Sequence, residues 1–318
     1  MKASIHTLAA LIALALSPFS VAAEGGYEQL GERFILPSPD LAKLALEDSK
    51  AEGLPYRYGI QIGFDALQIQ GKRASHGQWS RVEDGRLSLR WELASPGAKS
   101  LDFHFSTLKL PASAELIIRG EGKDNERIIK AADLTGDAFW SPYVAGDVAT
   151  LEVRVNPRER AMVEVQLAHV THGYRGLFEE TSDLSKSGSC NVDVVCSAGT
   201  GWGDQIDSVG QYTFSQGGSS YVCTGTLLGN TGNTTTPYFL TANHCVSTAT
   251  VASTVVVYWN YESSTCRTPG STASGTPISK TVATHSQSGA SLTATSATSD
   301  FALLRLSSDV PTGANAFF

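Results

Sequence analysis

The chain has 318 residues, a net charge of −7, and 24 Lys and Arg against 31 Asp and Glu. That length leaves room for two domains with their own cores. So few basic residues, with no cluster among them, argue against a nucleic-acid partner, whose phosphates need an Arg and Lys footprint.

At the N-terminus, Lys2, the apolar run Leu8 to Leu16 and the small residues Val21-Ala22-Ala23 have the three parts of an export signal. Residues 1–23 are therefore expected to be a signal peptide of a secreted protein. The run is too short to be a membrane anchor. Charge sets the next boundary. Twenty basic and twenty-five acidic residues fall between Glu24 and Lys186, whereas the remaining residues are mostly Ser, Thr, Gly, Ala and Asn.

Within 24–186, Pro39 to Lys50 predicts a helix capped by Asp40, with Leu41, Leu44 and Leu46 as its apolar positions. A period of two follows. It runs through Leu87, Leu89 and Trp91, then Leu101, Phe103 and Phe105, then Leu116 and Ile118, then Leu151, Val153 and Val155, then Val163, Val165 and Leu167. Such alternation sends one face of each strand into a core and the other to water. Turn signals at Glu83-Asp84-Gly85, Ser95-Pro96-Gly97, Gly120-Glu121-Gly122 and Asn156-Pro157 separate the runs. The expected fold is an all-β, jelly-roll-like sandwich. Thr171 to Lys186 loses the period and reads as a linker. Short β-runs follow at Val209 to Phe214, Tyr221 to Leu228, Tyr238 to Ala242 and Thr254 to Asn260.

All five cysteines, Cys190, Cys196, Cys223, Cys245 and Cys266, lie after the charged segment. In an exported chain they read as a disulfide framework, and the odd count leaves one without a partner. No Cys-x2-Cys pair exists for zinc, and nothing suggests a metal or organic cofactor.

Chemistry enters at two residues. His244 closes the apolar strand Tyr238 to Ala242, and Asp300 opens the apolar run Phe301 to Leu306, whose start would hold the carboxylate partly buried. A serine hydrolase needs an imidazole to take the hydroxyl proton and a carboxylate to fix that imidazole's tautomer. Taken singly, each residue has a plainer reading: a histidine beside a structural cystine, and an aspartate capping a turn. Their conjunction in an exported, cystine-bearing chain favours catalysis.

Thr241-Ala242-Asn243-His244-Cys245 is similar to the Thr-Ala-Ala-His-Cys of chymotrypsin-like serine proteases, with Asn243 in place of an alanine, and Asp300 sits in a segment like their Asp-x-Ala-Leu-Leu. The bacterial lysyl endopeptidases resemble it more closely, through Ser187 to Cys196, Val255 to Tyr261 and Ser264-Thr265-Cys266. Phe139-Trp140-Ser141-Pro142 with Gly146-Asp147 is similar to propeptides of related precursors. The resemblance implies that 24–186 is a pro-region and that 187–318 is the first β-barrel of a double barrel. The serine, oxyanion hole and S1 pocket would belong to the second barrel, beyond Phe318. His244 would be the base and Asp300 its orienting acid. Cys223 would pair with Cys245 and Cys196 with Cys266, while the partner of Cys190 would lie further on.

The implied function is a secreted serine endopeptidase precursor, acting on polypeptides after lysine, with its own pro-region as intramolecular partner. This chain alone would be inactive. The Lys186-Ser187 bond is a candidate for self-release, although the family match would start the mature chain near Ser185. A catalytically dead homologue and a secreted carbohydrate- or protein-binding sandwich, displaying Tyr56, Tyr58 and Trp79, are the alternatives.

Overall fold

The computed structural model describes residues 21–22, 28–30, 32–122, 125–177, 191–268 and 285–311, less Glu52, Leu54 and Asn233. The body of the export signal, the Lys186-Ser187 bond and Cys190 lie outside the described residues.

The fold is all-β in character. The helix Leu41–Asp48 forms where Asp40 can cap it, its side chain accepting from the Lys43 amide at 3.0 Å. Of its leucines only Leu44 is buried, because the helix rests on the surface by one narrow edge.

Two sheets make the N-terminal sandwich. One contains Glu28–Leu30, Arg33–Ile35, Leu87–Ala94, Val148–Val155, Glu115–Arg119 and Glu126–Lys130 in that spatial order. Arg33–Ile35 runs parallel to its neighbour Leu87–Ala94, and the other pairs are antiparallel. The second contains β1 (Tyr56–Gly63), β2 (Ser100–Lys109) and β3 (Glu164–Gly173), with β3 between the other two. The alternating residues meet between the sheets in one core that includes Trp91, Leu93, Phe103, Phe105, Ile118, Leu151 and Leu167. Each such side chain contributes about 1.5–3 kcal/mol by leaving water.

The C-terminal part is built from β4 (Val209–Gln216), β5 (Ser219–Leu228), β6 (Tyr238–Thr241), β7 (Val256–Trp259), β8 (Ser286–Ser288), β9 (Ala290–Ser296) and β10 (Phe301–Leu306). Pairing runs β8-β7-β4-β5-β6-β10-β9. Only Gly289 separates β8 from β9, and its φ of +85° makes the bend that carries one segment from β7 across to β10. This bend closes the ring. Its interior holds Tyr212, Phe214, Phe239, Val257, Trp259, Ala302 and Leu304.

One expectation needs correction. Thr171 to Gly173 is not linker: β3 runs through it, and Thr171 and His172 are buried because they pair with β1 and β2 on both sides. The two parts on either side of the change in composition are joined by strand pairing. β1 of the sandwich pairs with Ser219–Val222 of β5, so one sheet runs through both halves. Of the proposed display aromatics, Tyr58 is buried at this seam, and Tyr56 and Trp79 are partly covered.

Gly225 of β5 shows how tightly the barrel closes. A Cβ there would fall inside contact distance of the Phe239 ring and 2.8 Å from the Leu240 carbonyl oxygen. Neither neighbour can move aside, the ring being packed and the carbonyl belonging to the paired strand. Gly225→Ala should therefore lower stability by about 1–3 kcal/mol, read as an earlier urea midpoint; an unchanged midpoint would contradict this packing.

Candidate active site

The sheet register brings His244 and Asp300 together. β6 and β10 are antiparallel neighbours with Thr241 opposite Ala302. Three residues beyond Thr241 and two before Ala302 therefore emerge at the same end of the barrel. Phe239 and Thr241 face inward and anchor β6, and the chain then turns, with the amides of Cys245 and Val246 donating to the Ala242 carbonyl at 3.2 and 3.1 Å. Cys245 and Val246 are both buried. They pin the turn that carries His244.

Asp300 uses both carboxylate oxygens on the same residue. Oδ1 accepts from the His244 backbone amide at 2.9 Å, and Oδ2 lies 2.7 Å from His244 Nδ1. A carboxylate can only accept, so Nδ1 carries the proton and Nε2 presents its lone pair. Asp300 holds φ +49°, an uncommon conformation for a residue with a Cβ, in the turn between β9 and β10. The His244 amide, and then its side chain, hold the Asp300 carboxyl below the ordinary range, so it stays ionised.

The expectation of a partly buried carboxylate is corrected here. The side chains of His244 and Asp300 are 49% and 52% exposed. Asp300 is the last residue of the β9–β10 turn, ahead of the inward-facing Ala302 and Leu304. Its position comes from hydrogen bonds rather than enclosure.

Asn243, read from sequence only as a replacement for alanine, has a structural role. Its Nδ2 donates to Thr295 Oγ1 at 2.7 Å, and that hydroxyl donates to the Phe301 carbonyl at 2.9 Å. The histidine turn is thereby fastened to the hairpin that carries Asp300. Nothing in the sequence marks Thr295, which lies in a run of similar polar residues.

Disulfides join Cys223 to Cys245 and Cys196 to Cys266. The first ties the residue after His244 to β5. The second lies beside a buried ion pair, in which Arg267 Nη2 meets Asp193 Oδ1 at 2.9 Å and the Arg267 amide meets Oδ2 at 2.8 Å. Cys223, His244 and Cys245 group closely enough to suggest a metal site, but both sulfurs are spent in the disulfide. Replacing Cys223 and Cys245 with alanine opens a loop spanning 22 positions and should cost about 3 kcal/mol by the chain-entropy estimate. A urea midpoint equal to wild type would contradict that.

Two family models match the chain in succession. One described as the lysyl endopeptidase N-terminal domain covers residues 35–174, and one described as the lysyl endopeptidase C-terminal domain covers 184–318. The chain is also similar to a lysyl endopeptidase from Pseudomonas aeruginosa, with 30% identity over 89% of this chain and 62% of that protein. It thus spans less than two thirds of that relative's length.

Proposed function

Because the chain belongs to the lysyl endopeptidase family, we propose that residues 187–318 are the first part of a secreted serine peptidase domain and that 24–186 form its pro-region, with residues 1–23 directing export. The observation that carries this reading is the double hold of Asp300 on His244, through the backbone amide and Nδ1, which leaves Nε2 as the outward base. The serine, its oxyanion donors and the pocket for the substrate side chain are assigned to the part of the relatives' length that this chain does not span.

In this mechanism the serine hydroxyl attacks the peptide carbonyl carbon as Nε2 of His244 takes its proton. The imidazolium faces Asp300, whose negative charge stabilises it. The same proton then passes to the departing amine as the carbon–nitrogen bond breaks and the acyl-enzyme forms. Water, deprotonated by Nε2, cleaves the ester and restores the serine. Lysine before the cut bond is proposed from the family, and no residue of this chain is assigned to that selection.

A fluorophosphonate probe tests the reaction class. It should label the whole protein, meaning this chain together with the further sequence, and labelling should fall sharply in His244→Ala. A wild-type protein that hydrolyses peptides but resists the probe would overturn the serine assignment. A protein that does neither would fit the catalytically dead homologue.

A further inference from the structure

β1 and β6 share one edge of β5. β6 pairs with Thr226–Leu228, and β1 pairs with Ser219–Val222 further along. The sandwich thus adds a strand to the barrel, a mode in which backbone hydrogen bonds supply the hold. The Gln61 amide donates to the Gly218 carbonyl at 2.8 Å, and the Tyr143 amide donates to Tyr258 Oη at 3.2 Å. A register shift between Ser220 and Tyr221 falls opposite Tyr58, which packs with Tyr143 and Leu177 against Val222, Val256 and Tyr258 of the barrel.

Beneath this seam lies Asp102 of β2, only 7% exposed. It accepts from Tyr58 Oη at 2.8 Å and from the Thr171 hydroxyl, which is itself 3.3 Å from Ser220 Oγ of the barrel. Among the described residues no Lys, Arg or His forms an ion pair with Asp102. A buried carboxylate supported by hydroxyls alone favours its neutral form.

We propose that Ser219–Val222 of β5, with the adjoining face of β7, is a strand-acceptor surface for the N-terminal module, and that Asp102 beneath the seam makes the hold tighter in acid than at neutral pH. Its biological use as a releasable contact rests on the pro-region reading.

The groups that act on Asp102 fix the sign. Burial pushes its carboxyl up to about 6, from an ordinary value of 3.8. Tyr58 on β1 and Tyr258 on β7 are held neutral by burial, and the Asp102 charge pushes them the same way. Arg127, bonded to the Tyr143 carbonyl at 3.0 Å, acts on Tyr258 rather than pairing with Asp102. His104 and His169, two residues along the same strands, are lowered by burial, His104 to about 4. Their protonation would loosen the seam in acid, opposite to the effect of Asp102. For an acid raised in the joined state, the extra hold is full below about 3.8, is lost as pH rises through about 6, and is flat above.

The test uses the full chain with a site-specific protease sequence inserted after Thr181, cut after folding. The pieces should stay together, with a dissociation constant about tenfold lower at pH 5 than at pH 8. Asp102→Asn should abolish the tighter hold at pH 5. Pieces that part completely at both pH values would overturn the acceptor surface. A pH-independent wild type, or a D102N protein that keeps the wild-type pH dependence, would overturn the role of Asp102. Should D102N not fold, carbon-13 shifts of the aspartates in the uncut wild type decide: one carboxyl titrating near pH 6 supports the proposal, and none doing so overturns it. Neither measurement reads peptidase activity, so this proposal and the serine-peptidase reading can fail separately.

Discussion

Asp300→Asn in the whole protein should lower kcat by about 10⁴-fold while leaving KM near its wild-type value. The amide can still accept from the His244 backbone amide through its oxygen, so the turn should keep its shape. Its other arm is now an NH2 group, placed where Oδ2 lies 2.7 Å from Nδ1. That group donates, so Nδ1 must become the acceptor and the imidazole proton moves to Nε2. A base protonated at the nitrogen that faces substrate cannot take the serine proton. No substrate contact is assigned to Asp300, which is why the loss is expected on kcat. Steady-state kinetics of purified wild type and variant measure it. A loss confined to KM, or one below tenfold, would mean that Asp300 only supports the turn.

Phe239→Ala should lower barrel stability by about 3–5 kcal/mol. Phe239 is fully buried and meets Tyr212 and Trp259 edge to face, with ring centroids 5.7 and 5.8 Å away. Its removal leaves a cavity bounded by two rings that cannot both collapse into it, because Tyr212 is held by the Thr241 hydroxyl at 2.8 Å and Trp259 Nε1 by Gln287 at 2.9 Å. Phe239 also lies on the strand leading directly to His244, so the same cavity loosens the turn that carries His244. The expected readouts are an earlier urea midpoint and, in the whole protein, a fall in kcat at temperatures where the variant is still folded. A midpoint shift below 1 kcal/mol would show that the site collapses freely.

Where side chains carried the information, the sequence was readable. Asp40 announced the helix it caps. The alternation through Leu101, Phe103 and Phe105 placed those residues in the sandwich core. His244 and Asp300 were identifiable because each borders an apolar strand, and the register of those strands brings them to one end. The β1–β5 seam was hidden because strand addition is made by backbone groups that every residue carries. Thr171 and His172 looked like linker because polar residues were read as exposed, whereas Thr171 Oγ1 lies 3.3 Å from Ser220 at the seam, and His172 Nδ1, on the opposite face of β3, lies 2.7 Å from Ser95 of the sandwich. The partly buried setting expected of Asp300 failed for a related reason. A strand start shows which end of a barrel a residue occupies but not what covers it.

The central claim is that His244, oriented by Asp300, is the base of a peptidase. Incubating an unfolded polypeptide with the whole protein and with its His244→Ala variant, then mapping new termini by mass spectrometry, tests it most directly. The expected result is cleavage by the wild type after lysine and almost none by the variant. Equal cleavage by both proteins, or none by a folded wild type, would contradict the claim.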